Sequence, residues 1–420
     1  MNHPGSDLRR ATPAGPVFAF TFANSLGTGV VTTGIYFLTT HAYGFSRAEN
    51  YLLGVAQGIT YVVAAFLAGP LVRGIRRNLR ISSRTLLIGL MLLMAALCAL
   101  PIAGGLISGQ GRGSAWSIWA TVTLYSPLTG LLWPLVESYL SGGLRGEALR
   151  SRVGWWNVAW SSALVVAYLG VSPLAESSAT IAILALGLIH LGSIALLVRF
   201  PVEPPAHLDE TPHTIPASYP ALLTTFRVLL PASYLLMAAM SPYLPKAMGV
   251  LGVAAWMQMG LSAAWLLPRT LTFALLQQWQ GWHGRWWHAG GGAVLLLGGF
   301  GATVLSAATV GGRAGLILMI AGLACFGVGL AVTYCGAIYY ALEVGQSEVD
   351  AGGTHEALIG AGYTAGPAIG LAAAIGVRQG FLGEEAFEGV ILGVATSVAV
   401  GAVLVVVRHS LRGHGHHRQD

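Results

Sequence analysis

The chain has 420 residues, of which 55% are hydrophobic and only 9% charged, and its mean hydropathy is +0.67. A soluble protein solvates its surface with about a quarter charged residues, so this composition excludes a water-soluble chain and requires lipid. The net charge of +6 arises from 22 Lys+Arg against 16 Asp+Glu, and the arginines lie between apolar runs, which argues for membrane topology and against nucleic acid.

A helix needs about 20 mostly apolar residues to cross a bilayer. Such runs lie, in chain order, near 16–39, 50–71, 85–107, 115–140, 153–172, 179–199, 224–243, 248–277, 289–309, 314–341, 355–377 and 387–407. All are expected to be helical, since a spanning segment must satisfy its backbone internally. The fold class is therefore an all-α membrane protein with twelve spans. Residues 1–15 are polar and precede an over-long apolar run, so span 1 reads as retained rather than as a cleaved signal. Spans 3 and 12 are almost purely aliphatic, as lipid-facing helices should be. Polar and aromatic residues gather elsewhere: Asn24 in span 1, Gln57 and Tyr61 in span 2, Tyr125 in span 4, and Trp156, Asn157 and Trp160 in span 5. Span 8 adds Gln258, Trp265 and Arg269, and span 10 adds Tyr334, Tyr339 and Tyr340. Polar groups in lipid are costly unless paired or wetted, so these are expected to face the interior.

A polar linker, 200–223, divides the chain into residues 1–199 and 224–420, with six spans in each. Taking the N-terminus as cytoplasmic puts sixteen basic residues on the inner side and five on the outer, Lys246 among the five. This bias places both termini inside. The three cysteines, Cys98, Cys325 and Cys335, lie in apolar runs and imply no disulfide framework.

A half-chain repeat is also visible. Gly142-Gly143 recurs as Gly352-Gly353 and Glu147-Ala148-Leu149 as Glu356-Ala357-Leu358, an offset of 210 or 209 residues. Two parallel six-helix repeats form a known transporter plan. The pattern resembles the major facilitator superfamily over essentially the whole chain. Between spans 2 and 3, AGPLVRGIRRNLR sits where that family carries its signature loop. Gly69, Leu71 and the cluster Arg76, Arg77 and Arg80 match, whereas Arg73 stands at the family's acidic position. The resemblance implies a central cavity lined by spans 1, 2, 4, 5, 7, 8, 10 and 11, with spans 3, 6, 9 and 12 outside.

Arg269 lies about nine residues, roughly 13 Å, from the inner end of span 8. It either meets an anionic or strongly polar group of a solute or braces the bundle against a glutamate or helix carbonyl. With it, Asn24, Gln57, Tyr61, Trp160, Gln258, Trp265 and Tyr334 form the candidate solute site. No Asp or Glu falls at the middle of a span; Glu137, Glu343 and Glu356 read as lying near inner helix ends. His190 is either a titratable group or a structural histidine bonded to a neighbouring carbonyl. Proton coupling and uniport both remain open.

In the resembled family the acid of the span 2–3 loop closes the inner side against the start of span 11. A latch with exchanged charges is expected here, Arg73 with Glu356, and Glu147 is expected to face the loop carrying His283 and Arg285. Glu137 and Glu343 complete the gating set. A glutamate at a helix start is also favourable to the dipole without any latch. The tail RGHGHHRQD reads as a metal ligand set or as a plain tail. GxxxxGK[ST] and HExxH are absent, and no metal or cofactor is expected. The leading expectation is a monomeric secondary transporter in the inner membrane, moving a small polar or anionic organic solute, with or without protons or another coupling ion, by alternating access. The alternatives are a transport-inactive sensor or scaffold, and an intramembrane enzyme.

Overall fold

The computed structural model describes residues 11–109, 114–206, 215–344 and 349–416, without the side chains of 349–352, 402, 403 and 405–416. Arg9, Arg10, Arg112, Arg418 and the middle of the 200–223 linker lie outside the described residues. So do the side chains of the histidine-rich tail and of Arg408 and Arg412.

The helices are α1 (Ala14–Ala42), α2 (Arg47–Leu79), α3 (Ser83–Ser108), α4 (Ala115–Ser141), α5 (Gly146–Leu174) and α6 (Ala179–Leu197). After the linker come α7 (Tyr219–Met240), α8 (Ala255–Gln278), α9 (Trp286–Val310), α10 (Gly312–Glu343), α11 (Val349–Arg378) and α12 (Phe387–His416). Among the described residues ten helices are long and apolar enough to cross a bilayer: all but α4 and α12, with α11 qualifying over Gly353–Arg378. The chain is a multi-pass membrane protein.

Local chemistry explains several boundaries. Ser46 and Glu49 form a reciprocal capping box at the start of α2, satisfying two otherwise orphaned N–H groups. Ser82 accepts from the Thr85 N–H to start α3. A π turn over Val30–Gly34 interrupts α1, and such a turn leaves a carbonyl without its helical donor. The Gln57 amide supplies one, donating to the Val31 carbonyl at 3.1 Å.

Three expected boundaries change. The basic stretch after span 2 is not a loop, because α2 runs on to Leu79 with Pro70 inside it. The apolar run of span 8 begins at 248, but a short helix, Leu244–Val250, precedes α8 and breaks before it. The third change matters most for the site: α11 begins at Val349, not near 355. Gly352-Gly353 looks like a break, yet the helix passes through it. Packing against α2 overrides the poor propensity, and a Cβ on Gly353 would stand 3.1 Å from the Ala65 carbonyl.

Helix pairs in the first six recur six places on: α1–α5 with α7–α11, α2–α4 with α8–α10, α3–α4 with α9–α10, and α1–α6 with α7–α12. The two groups meet through α2 on α11 and α5 on α8, which exchange under the same shift. Small residues allow this approach. A Cβ on Gly58 of α2 would lie 2.6 Å from both the Thr364 nitrogen and the Tyr363 oxygen of α11. α3, α6 and α9 carry exposed aliphatic faces, with Leu92, Leu93, Ile181, Leu188 and Val294 outward, as expected of peripheral helices. α2 also presents an outward face, including Phe66.

Candidate functional site

Between the two helix groups lies a cavity of about 90 Å³, walled by α1, α2, α4, α5, α7, α10 and α11. Thr28 and Thr32 line it from α1, the first just before the π turn and the second within it. Trp133, Trp156 and Trp160 form one wall; Tyr61, Tyr234, Tyr334 and Tyr363 form much of the rest. The rings support one another edge to face, with Trp160 and Tyr334 centroids 5.5 Å apart and Tyr234 and Tyr363 5.3 Å apart. Their polar edges are held too. Trp156 donates to the Thr21 hydroxyl at 2.9 Å, and Trp160 to the Asn157 oxygen at 3.0 Å. The expected site residues Tyr61, Trp160 and Tyr334 are thus brought together on one cavity.

Glu356 lines the same cavity. The early start of α11 sets it in the second turn of the helix and almost fully buried, not at a helix end. The expectation that Glu356 opens its helix at the inner end is corrected accordingly. Tyr61 donates its hydroxyl hydrogen to the Glu356 carboxylate. His355, the preceding residue, packs its ring 5.4 Å from Tyr334 and leaves Nε2 buried without a partner.

Arg269 is 2% exposed and does not line the cavity. Its guanidinium lies between two tryptophan faces, 4.6 Å from the centroids of both Trp160 and Trp265. Its Nε donates to the Ser161 hydroxyl at 3.1 Å, while one terminal nitrogen is buried with no hydrogen-bond partner. Trp160 therefore serves two surfaces, the cavity on one and the arginine on the other.

The remaining expected solute-site residues sit elsewhere. Asn24 belongs to a chain inside the first six helices: His190 Nδ1 is 2.7 Å from its oxygen, and His190 Nε2 is 2.7 Å from the Tyr125 hydroxyl. His190 is thus held on both ring nitrogens, by the side-chain amide carbonyl of Asn24 and the phenol of Tyr125, as the structural alternative expected. Gln57 is taken up by Val31 and Tyr36. Gln258, at the far end of α8, bonds His41 of α1 at 2.8 Å and joins the two helix groups there. Trp265 packs behind Arg269. Polar character marks all four as interior; it does not distinguish the inside of a bundle from the surface between bundles.

At the arginine-rich end a second cavity, about 290 Å³, lies between α5, α8 and α10. Glu147 and His283 both line it, and Arg150 of α5 bonds Glu343 of α10 at 2.9 Å across the junction of the groups. Burial and the Arg150 charge push the His283 imidazole down to about 4. The expected Arg73–Glu356 latch is not made. Glu356 lies deeper, on Tyr61, and Arg73 lines a separate open pocket with Arg76, Arg77 and Glu203. The residues missed from sequence are Trp133, Tyr234 and Tyr363, together with Glu356 as a cavity residue. Tyr363 stands in the GAGYTAGPAIG run, whose glycines and proline draw attention to bending rather than to the ring between them.

No family model and no curated protein sequence matches the chain. Its structure, by contrast, resembles solved transporters. A point mutant of the nucleoside transporter NupG superimposes with a TM-score of 0.64 at 11% identity, covering 94% of this chain and 99% of that one. The E. coli fucose:proton symporter FucP superimposes at 0.58 with 14% identity, covering 94% and 98%. Another structure of FucP, described as a major facilitator superfamily transporter in the outward conformation, gives 0.55 at 13% identity, with the same coverage. The chain has the major facilitator superfamily fold. At these identities the likeness concerns the fold, and the cavity residues must argue for themselves.

Proposed function

We propose that the protein is a secondary transporter whose two six-helix halves, 1–199 and 224–420, alternate access to the cavity between them. The observation that carries this reading is an aromatic-walled cavity enclosing a buried carboxylate at the junction of the two helix groups. Ligand pockets usually run from about 300 Å³ upward, so a cavity of about 90 Å³ must widen to take a solute, and parting the halves widens it. Tryptophan and tyrosine faces suit a flat or ring-shaped solute, and threonine, tyrosine and carboxylate oxygens suit its hydroxyl groups. A neutral hydroxyl-bearing ring fits this wall better than an anion, since the wall carries Glu356 and Trp160 shields the guanidinium. That chemistry accords with the nucleoside and fucose carriers of the same fold.

Two further roles follow in this reading. Glu356 takes up the coupling proton, and Tyr61 reports the change by its hydrogen bond. Arg269 offers its unpartnered nitrogen to an acceptor on the solute once Trp160 turns aside. The sixteen-to-five bias of basic residues supports an inner-membrane protein with both termini cytoplasmic. The test is uptake of labelled nucleosides, hexoses and sugar acids into liposomes containing the purified protein, with and without an inward proton gradient. Accumulation of a neutral ring solute is expected; absence of uptake and exchange for every class would sink the reading.

A further inference from the structure

α2 has 33 residues, a length of about 50 Å at 1.5 Å per residue, against a hydrocarbon layer of about 30 Å. Its last turns therefore reach the headgroup level, and they carry Arg73, Arg76, Arg77 and Arg80. These four arginines line one open pocket of about 610 Å³, closed on the other side by Val202 and Glu203. Glu203 is already bound there: Arg76 reaches it at 3.2 Å, and Ser83, at the start of α3, donates its hydroxyl at 2.5 Å. The protein's own carboxylate thus marks an anion position at a helix N-terminus. Arg77 and Arg80 are exposed and make no ion pair with any described residue. Apolar Ile81 and Val202 belong to the pocket's lining, and the exposed Leu71, Leu79 and Val198 stand within four residues of lining positions along the chain.

Arg80 adds an independent observation. It caps α2 in the left-handed conformation, φ 54°, and is the one non-glycine residue at positive φ among the described residues. Glycine is the usual occupant of such a position, because a side chain there is strained. A strained residue that is also a charge on a pocket rim points to use of that charge.

We propose that this pocket binds the phosphate of an anionic phospholipid, with Arg77 and Arg80 on the phosphate and the acyl chains along the exposed aliphatic strip. Charge and greasy surface occur together here, as a lipid requires and a free anion does not. Basic pockets beside membrane helices hold anionic headgroups by the same physics. The site is separate from the central cavity and does not depend on the transport reading.

The test uses purified full-length protein in detergent, with native mass spectrometry and thermal unfolding in phosphatidylglycerol, phosphatidylcholine or inorganic phosphate. The wild type should retain and be stabilised by phosphatidylglycerol over phosphatidylcholine. In the double variant Arg77→Gln, Arg80→Gly that binding should weaken by roughly fivefold per arginine removed. Glycine at 80 relieves the backbone strain, so the variant should fold at least as well as the wild type. Equal retention of the two lipids, a preference that survives in the variant, or protection by inorganic phosphate as strong as by phosphatidylglycerol would each overturn the proposal.

Discussion

The Arg269 guanidinium stacks on Trp160 at 4.6 Å from the ring centroid, so a cavity wall and a buried cation share a single side chain. Removing either partner separates packing from recognition. Trp160→Ala should cost about 3–5 kcal/mol of stability, as large aromatic truncations in cores do. Trp160→Phe keeps a ring beside Tyr334 and should retain most of that stability. Arg269→Met replaces a guanidinium that already lacks one partner with a flexible apolar chain. It should change the unfolding temperature by only a few degrees while abolishing uptake; unchanged uptake would leave Arg269 as a brace.

Glu356→Gln keeps an oxygen for the Tyr61 hydroxyl but removes the ionisable group. If Glu356 couples proton and solute movement, the variant should lose accumulation driven by a proton gradient yet still exchange labelled for unlabelled solute. Tyr61→Phe should weaken both modes by a smaller factor, since it strips one hydrogen bond from the carboxylate, typically about 1.5–3 kcal/mol for a charged acceptor. Equal gradient-driven accumulation by the Gln variant and the wild type would remove Glu356 from coupling.

Much of the architecture is legible in sequence because its signals are local. Apolar length sets the helices, although α2 runs on through its arginines to Leu79. The candidate site is less so, because a cavity is made by faces of helices far apart in the chain. Trp133 and Tyr234 sit in long apolar runs that do not declare which face turns inward. Asn24 and Gln57 obey the rule that polar groups avoid lipid, but they satisfy it within their own bundle. The depth of Glu356 is hidden by Gly352-Gly353, a pair that usually ends a helix and here permits close contact with α2.

That contact supplies a third prediction. At Gly58 an added Cβ meets backbone atoms of Thr364 and Tyr363 at 2.6 Å, and backbone cannot rotate away. Gly58→Ala should force α2 from α11 and cost about 1–3 kcal/mol, the usual penalty of overpacking. Gly15→Ala, where nothing stands within 4 Å, should be neutral or slightly stabilising. Thermal unfolding in detergent compares the two. If the narrowness of the cavity depends on the α2–α11 seam, Gly58→Ala should also make a cysteine placed at Thr28 react faster with a water-soluble thiol reagent.

His283 lies in the loop between α8 and α9, beside Arg150, and its imidazole is pushed from 6.5 down to about 4 by burial and that charge. The sign is fixed by which state holds more protons. Between these two values the unfolded chain binds a proton at His283 and the folded chain does not, so folding weakens as pH falls from 6.5 toward 4. Above 6.5 both states are neutral and the stability is fully present. His283→Asn should therefore flatten part of the acid-side loss without altering stability at pH 8. Because Arg150 also holds Glu343 across the halves, protonated His283 should repel the arginine and loosen that bond. Arg150→Gln should then both raise the pH at which His283 titrates and reduce the difference between the unfolding curves of proteins with and without the His283→Asn substitution. Curves that keep the same acid-side difference in the Arg150→Gln background would show that the charge of Arg150 does not act on this histidine.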